Sequence, residues 1–201
     1  MRLRAALIDL DGTIWDNPVQ IAAVRAELGL AQDGRPILHA IAELPRSQRA
    51  QAIAILESHE RAGVEQGTLR PGTHELLGFL RERNVKSVLV TNNSRASTDA
   101  VLFRHGLRFD LVRTRDEGPL KPDPAAFLGP LGQLGVHPEE ALVLGDSHFD
   151  LQAAVGAGIR EVILVHPAEW MRGFFPPGAR PREVPTLGEA QALIASLVDG
   201  R

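Results

Sequence analysis

Five short apolar runs constrain this chain more than any other feature: Arg4 to Leu10, Ser87 to Val90, Asp110 to Val112, Ala141 to Leu144 and Glu161 to Val165. They are rich in Val, Ile and Leu, and their lengths suit strands buried on both faces. Helical periodicity falls between them. Thr73 to Arg83 places Leu76, Leu77 and Leu80 on one face, and Pro124 to Leu134 opens on a proline, which a first helical turn tolerates. Phe149 to Ala157 and Leu187 to Leu197 are periodic as well. Strands alternating with helices predict an α/β fold, a parallel sheet with helices on both faces. In such a sheet, ligands bind beyond the carboxyl ends of the strands, near the point where strand order reverses.

One stretch interrupts the alternation. Between Asn17 and Arg70 no strand-like run occurs, and helices are expected near Val19 to Leu28, Pro36 to Leu44 and Ser47 to Ala62. The expected organisation is therefore a core of residues 1–16 and 71–201 carrying a small all-helical cap, 17–70, inserted after the first strand. Gly67 to Pro71 reads as the return hinge, and Phe174 to Pro185, with four prolines, as an irregular surface loop. A hydrophobic fraction of 44% and a charged fraction of 23% are those of a globular protein. A net charge of -3 gives no basic excess for nucleic acid or an anionic membrane. Cysteine is absent, which excludes a disulfide framework, a thiolate nucleophile and a Cys-ligated metal. Asp9 and Asp11 interrupt the stretch from Met1, so it reads as neither signal peptide nor membrane span, and a soluble cytoplasmic protein is expected.

Four expected strand ends carry polar chemistry. The first is Asp9-Leu10-Asp11-Gly12-Thr13. It reads either as a turn with solvated aspartates or as a working pair, Asp9 as nucleophile or metal ligand and Asp11 as proton shuttle. The second, Val90-Thr91-Asn92-Asn93-Ser94, enters a helix. The Thr91 hydroxyl and the following N–H groups, starting with Asn92, suit phosphate oxygens; a plain helix cap by Asn93 or Ser94 is the other reading. In Leu120-Lys121-Pro122-Asp123-Pro124, capping accounts for Asp123 but not for Lys121, one of only two lysines in the chain. Lys121 is either solvated or a point charge for phosphate. In Gly145-Asp146-Ser147-His148-Phe149-Asp150, Asp146 and Asp150 stand four apart. They suit a hard Mg²⁺ ion, or else cap and charge the start of a helix. His148 within this motif is more simply structural than a substrate contact.

Taken together and in this order, the signatures DLDGT (9–13), VTNNS (90–94), LKPDP (120–124) and GDSHFD (145–150) make the chain resemble the haloacid dehalogenase-like (HAD) hydrolase superfamily. The resemblance implies a Rossmann-like core, with Asp9 as the nucleophile that becomes an aspartyl-phosphate and Asp11 as general acid/base. Thr91, Asn92 and Lys121 are then phosphate-binding. Mg²⁺ is held by Asp9, the Asp11 carbonyl, Asp146 and Asp150, the last directly or through water. An insert between positions 9 and 91, with no room for another between 91 and 121, resembles the helical-cap group of phosphoglycolate phosphatases, β-phosphoglucomutase and 2-haloacid dehalogenases. The insert is short for that group.

The expected function is thus a Mg²⁺-dependent phosphatase acting on a small phosphorylated metabolite, with neither nucleic acid nor membrane as partner. A phosphomutase shares all the core residues. A 2-haloacid dehalogenase would need neither the acid at Asp11 nor a metal. A phospho-aspartate receiver domain offers a non-enzymatic alternative, but carries its acceptor on a later strand and lacks the insert. Arg46, Arg49, His59 and Arg61 in the insert are candidate substrate contacts or a solvated face. Trp15 is expected to pack in the core. The sequence leaves the oligomeric state open.

Overall fold

The computed structural model describes residues 3–199. The reading of the stretch from Met1 starts on Met1 and Arg2, which lie outside them. The chain divides into two compact units, Met1–Asp16 with Thr68–Arg201 and Asn17–Gly67.

The larger unit holds strands β1 (Ala5–Ile8), β2 (Trp15–Asp16), β3 (Thr68–Leu69), β4 (Lys86–Val90), β5 (Leu111–Arg113), β6 (Ala141–Gly145), β7 (Glu161–Val165) and β8 (Arg182–Val184). Six form one sheet in the order β5-β4-β1-β6-β7-β8. Every pairing in it is parallel, with Ile8 opposite both Leu89 and Leu144. The chain runs outward from β1 through β4 to β5, then resumes on the other side of β1 with β6. Strand order therefore reverses beside β1, where connections leave in opposite directions and open a crevice at the carboxyl ends.

Helices α1 (Ile21–Glu27), α2 (Ile37–Glu43) and α3 (Arg46–Gln66) belong to the smaller unit; α4 (Thr73–Glu82), α5 (Arg95–His105), α6 (Ala125–Leu134), α7 (His148–Gly156) and α8 (Leu187–Val198) belong to the larger. Alternate strand residues Ala5, Leu7, Val88, Val90, Ala141, Val143, Val162 and Leu164 share one cluster with Phe127 and Leu131 of α6 and Leu151 and Ala154 of α7. The intervening residues Ala6, Ile8, Leu89, Leu142, Leu144 and Ile163 point the other way and are equally buried. α4 and α8 pack against each other and on β4 and β7 respectively. Burying both faces explains the continuous apolar runs. At about 1.5–3 kcal/mol for each large side chain removed from water, it makes the central strands a firm base for their carboxyl ends.

Within Asn17–Gly67, Val24, Ile41, Ala52 and Leu56 form a small core joined by Val19, Leu28, Ile37 and Ile53. α3 buries Ala52, Leu56, Glu60 and Gly63, a single stripe at helical spacing. The buried Arg25 guanidinium donates to the carbonyls of Ala31 and Arg35 and lies 3.3 Å from Asp33, fixing the loop after α1.

Two expectations need correction. Thr68–Leu69, in the stretch read as strandless, pairs antiparallel with Trp15–Asp16. A two-residue ribbon is too short to show periodicity, and its pairing follows from the chain leaving and returning at one place. Arg182–Val184, in the segment read as an irregular loop, is the sixth strand, parallel to β7 with Val184 opposite Val165. Pro181 and Pro185 flank this edge strand without interrupting its ladder, so they misled the reading without breaking the structure.

Candidate active site

The loops after β1, β4 and β6, and the one before α6, converge beyond the carboxyl ends of the sheet. The Asp9 N–H donates to the Leu144 carbonyl at 2.9 Å, extending the ladder one residue past β1 and fixing the Asp9 backbone. The chain then turns tightly: the N–H groups of Thr13, Ile14 and Trp15 all reach the Leu10 carbonyl, and Gly12 N–H reaches that of Trp15. Gly12 has φ of +80°, and a Cβ there would lie 2.0 Å from Asp146 Oδ2. Only glycine lets this loop lie against Asp146.

Lys121 is placed by its backbone. The Asn92 amide donates to the Lys121 carbonyl at 2.8 Å and accepts from the Lys121 N–H at 2.9 Å. The Lys121–Pro122 peptide is cis. From this anchor the buried ammonium donates to Asp9 Oδ1 at 2.5 Å and to Asp150 Oδ1 at 2.7 Å. The Asn92 side chain is thus engaged with the Lys121 backbone.

Ser147 caps α7. Its N–H and hydroxyl donate to Asp150 Oδ2 at 3.2 and 2.7 Å. Asp150 is therefore gripped on one oxygen by Lys121 and on the other by Ser147. A Cβ on Gly145 would come within 2.3 Å of Asp150 Cγ, so this carboxylate packs directly on the end of β6. Asp9, Asp146 and Asp150 each offer an oxygen within 4.8 Å of the others. All three donors are hard carboxylate oxygens, a set that fits Mg²⁺ and not a soft transition metal.

Charge is crowded here. Burial, with Asp150 and Asp11 nearby, pushes the Asp9 carboxyl up to about 7 despite the opposing pull of Lys121. Burial, then the charges of Asp9 and Asp150, also holds Asp146 well above the usual carboxylate range. Burial alone would lower Lys121, but Asp150 and Asp9 overcome it and keep the ammonium charged. The cluster has more negative groups than one lysine can balance, an excess that a divalent cation would relieve.

Asp11 faces the β4 loop. Its carboxylate accepts from Asn93 Nδ2 at 3.1 Å and from the Thr91 hydroxyl at 3.4 Å, and that hydroxyl accepts from the Asn93 N–H at 3.1 Å. The sequence alone points to the Asn93 N–H or to a capping role for its side chain, and assigns Ser147 no role. Their type, small polar residues at strand ends, was visible; their direction was not. Ser94 does cap α5, and Asp123 accepts from the Ala125 N–H at 2.8 Å, as a cap would. His148 is buried among the rings of Phe149, Phe174 and Trp170. Trp15 is buried with its ring 5.1 Å from that of His105. In the insert, Arg49 donates to the Leu44 carbonyl and His59 pairs with Glu27, while Arg46 and Arg61 are exposed.

Known proteins resemble this chain in sequence and in fold. A family model for haloacid dehalogenase-like hydrolases matches residues 3–158. The chain is 31% identical to a haloacid dehalogenase-like hydrolase domain-containing protein of Arabidopsis thaliana, over 74% of this chain and 65% of that protein, so it spans just under two thirds of that relative's length. It is 31% identical to a phosphoglycolate phosphatase of Pseudomonas putida, over 81% of this chain and 70% of the other. Among solved structures, a haloacid dehalogenase-like family hydrolase from Streptococcus pneumoniae superposes with a TM-score of 0.70 at 21% identity, covering 95% of this chain and 98% of the other, a likeness of fold. The chain belongs to the haloacid dehalogenase-like hydrolase family.

Proposed function

We propose that this hydrolase is a Mg²⁺-dependent phosphatase that cleaves a small phosphate monoester through an aspartyl-phosphate on Asp9. The observation that carries the reading is the buried Lys121 ammonium held between Asp9 and Asp150, with Asp146 in the same carboxylate cluster. Asp9, Asp146 and Asp150, with the Asp11 carbonyl, are the groups to hold Mg²⁺. When bound, the ion supplies positive charge that lets a carboxylate approach a phosphate dianion.

An Asp9 oxygen attacks phosphorus, the bond from phosphorus to the leaving oxygen breaks, and the Asp11 carboxyl gives its proton to that oxygen. Asp11, now a carboxylate, takes a proton from water as the water oxygen attacks the phosphoryl group. The bond to Asp9 breaks, releasing inorganic phosphate and restoring the Asp9 carboxylate. Asn93 and Thr91 hold Asp11 in place for both proton transfers. Lys121 and the N–H groups after Thr91 offset charge on the phosphoryl oxygens.

The similarity to a phosphoglycolate phosphatase supports a small anionic metabolite as the substrate class. The near-balanced charge supports neither nucleic acid nor membrane as partner. Among the described residues no helix is long and apolar enough to cross a membrane.

The test is phosphate release from an aryl phosphate and from a panel of phosphorylated metabolites, phosphoglycolate included, with Mg²⁺ or with EDTA. Turnover that needs Mg²⁺ and vanishes in Asp9→Asn is expected. Full activity in that variant, or Mg²⁺-independent turnover, would remove the reading.

A further inference from the structure

We propose that a ring clamp, Trp170 and Phe174 closed over His148, sets the position of the Asp146–Asp150 loop and thereby the affinity of the site for Mg²⁺. The inference rests on the metal reading above and concerns residues to which that reading gives no role.

His148 is the first residue of α7, between Asp146 and Asp150, and its side chain is buried at 2% exposure. Three rings surround it. Centroid separations are 4.1 Å to Phe149, 5.0 Å to Phe174 and 5.7 Å to Trp170, and Trp170 meets Phe174 edge-on at 5.9 Å. Trp170 and Phe174 lie on the 3₁₀ helix Glu169–Phe174, which follows β7 and packs on α7. That segment is fastened at its far end. The Phe174 carbonyl accepts from Gln152 of α7 at 2.8 Å, and the next residue, Phe175, packs against the main core with Ala179.

Fixing this loop matters for an electrostatic reason. Asp146 and Asp150 are carried toward Asp9 against mutual repulsion, and Lys121 contacts Asp9 and Asp150 but makes no hydrogen bond to Asp146 in the structure. The Ser147–Asp150 cap sets the internal shape of the first turn of α7. It does not stop the turn from tilting as a body away from β1. A buried imidazole at the first helical position, covered by rings anchored to another strand connection, opposes that tilt. Trp170 and Phe174 remain 58% and 42% exposed, so they contribute little to the core while closing over His148.

The test compares wild type with Trp170→Ala, Phe174→Ala and Trp170→Phe. Mg²⁺ binding is titrated calorimetrically with MgCl₂ alone, and thermal melting is followed in EDTA. Both alanine variants are expected to bind Mg²⁺ about tenfold more weakly, the lower end of the range for residues that orient metal ligands. Trp170→Phe, which keeps a ring over His148, should recover most of the affinity. Phosphate release by the alanine variants should approach the wild-type kcat once Mg²⁺ saturates. A purely structural role would lower the melting temperature in EDTA and leave the affinity unchanged. Should the alanine variants fail to fold, Gln152→Ala, which removes only the anchor on the Phe174 carbonyl, is expected to weaken Mg²⁺ binding severalfold. Wild-type affinity in the folded variants overturns the clamp alone. Absence of Mg²⁺ binding by the wild type overturns the metal reading and the clamp with it.

Discussion

Lys121 lies 2.5 Å from Asp9 and 2.7 Å from Asp150, one buried ammonium shared by two carboxylates from different strand ends. Removing one partner of such a group leaves uncompensated charge, at a typical cost of about 3–5 kcal/mol. Proton uptake by Asp9, already raised to about 7, will recover part of that cost. Lys121→Met should therefore lower stability in EDTA by a few kcal/mol at pH 8 and by less at pH 5.5, as read by urea denaturation. Equal losses at both pH values would show that the lysine does not balance these carboxylates. Activity should fall at least a hundredfold at either pH.

The raised Asp9 carboxyl fixes the sign of a pH effect. Its folded value, about 7, lies above its ordinary value of 3.8, so the stability it contributes is fully present below about pH 4 and is lost as pH rises through 7. Asp146 is shifted in the same direction. Lys121 is raised too, and its contribution persists until pH passes its elevated value. Mg²⁺ must displace protons from the carboxylates, so its affinity should rise between pH 5.5 and 8. The stabilisation by Mg²⁺, measured as a melting shift against EDTA, should be larger at pH 7.5 than at pH 5.5. A pH-independent shift would place the ion elsewhere.

Asp11→Asn removes both proton transfers while leaving Asp9 able to attack a substrate with a good leaving group. Acid-quenched samples should contain phosphorylated protein, detected by intact mass, and steady-state turnover should fall by about 10²–10⁴. Wild-type turnover with no trapped phosphoprotein would reassign the acid/base.

Asn93→Ala takes away the 3.1 Å donor to Asp11. Hydrogen bonds to charged groups contribute about 1.5–3 kcal/mol, so kcat should drop roughly ten- to a hundredfold with KM little changed. A change confined to KM would mean that Asn93 holds substrate and not Asp11.

Gly12→Ala forces a side chain into the left-handed region and onto Asp146. The backbone conformation alone costs about 1–2 kcal/mol. Displacing Asp146 should in addition weaken Mg²⁺ binding, while the far-UV spectrum stays native. Unchanged Mg²⁺ affinity would show that Asp146 is not a ligand.

The sheet, its parallel sense and the strand ends that bear chemistry were legible because a strand covered on both faces must be apolar throughout, and a polar cluster at its end then stands out. Asp9, Asp146 and Lys121 needed no coordinates to be noticed. The helical nature of Asn17–Gly67 was legible from the lack of strand-like runs there and from the turn-forming residues that divide it. The Trp15–Asp16 and Thr68–Leu69 ribbon was not, since pairing two residues with two others leaves no local pattern. Arg182–Val184 was hidden by the prolines that bound it.

By itself, then, the sequence determined which residues stand at the ends of buried strands, since burial pattern and turn chemistry are local properties. Only the tertiary structure decided how they meet: that Lys121 lies between Asp9 and Asp150, that the Asn92 amide spends itself on the Lys121 backbone while Asn93 turns to Asp11, and that Trp170 and Phe174 reach back over His148. These contacts join loops distant in sequence, and their geometry depends on strand order and register, which no local pattern encodes.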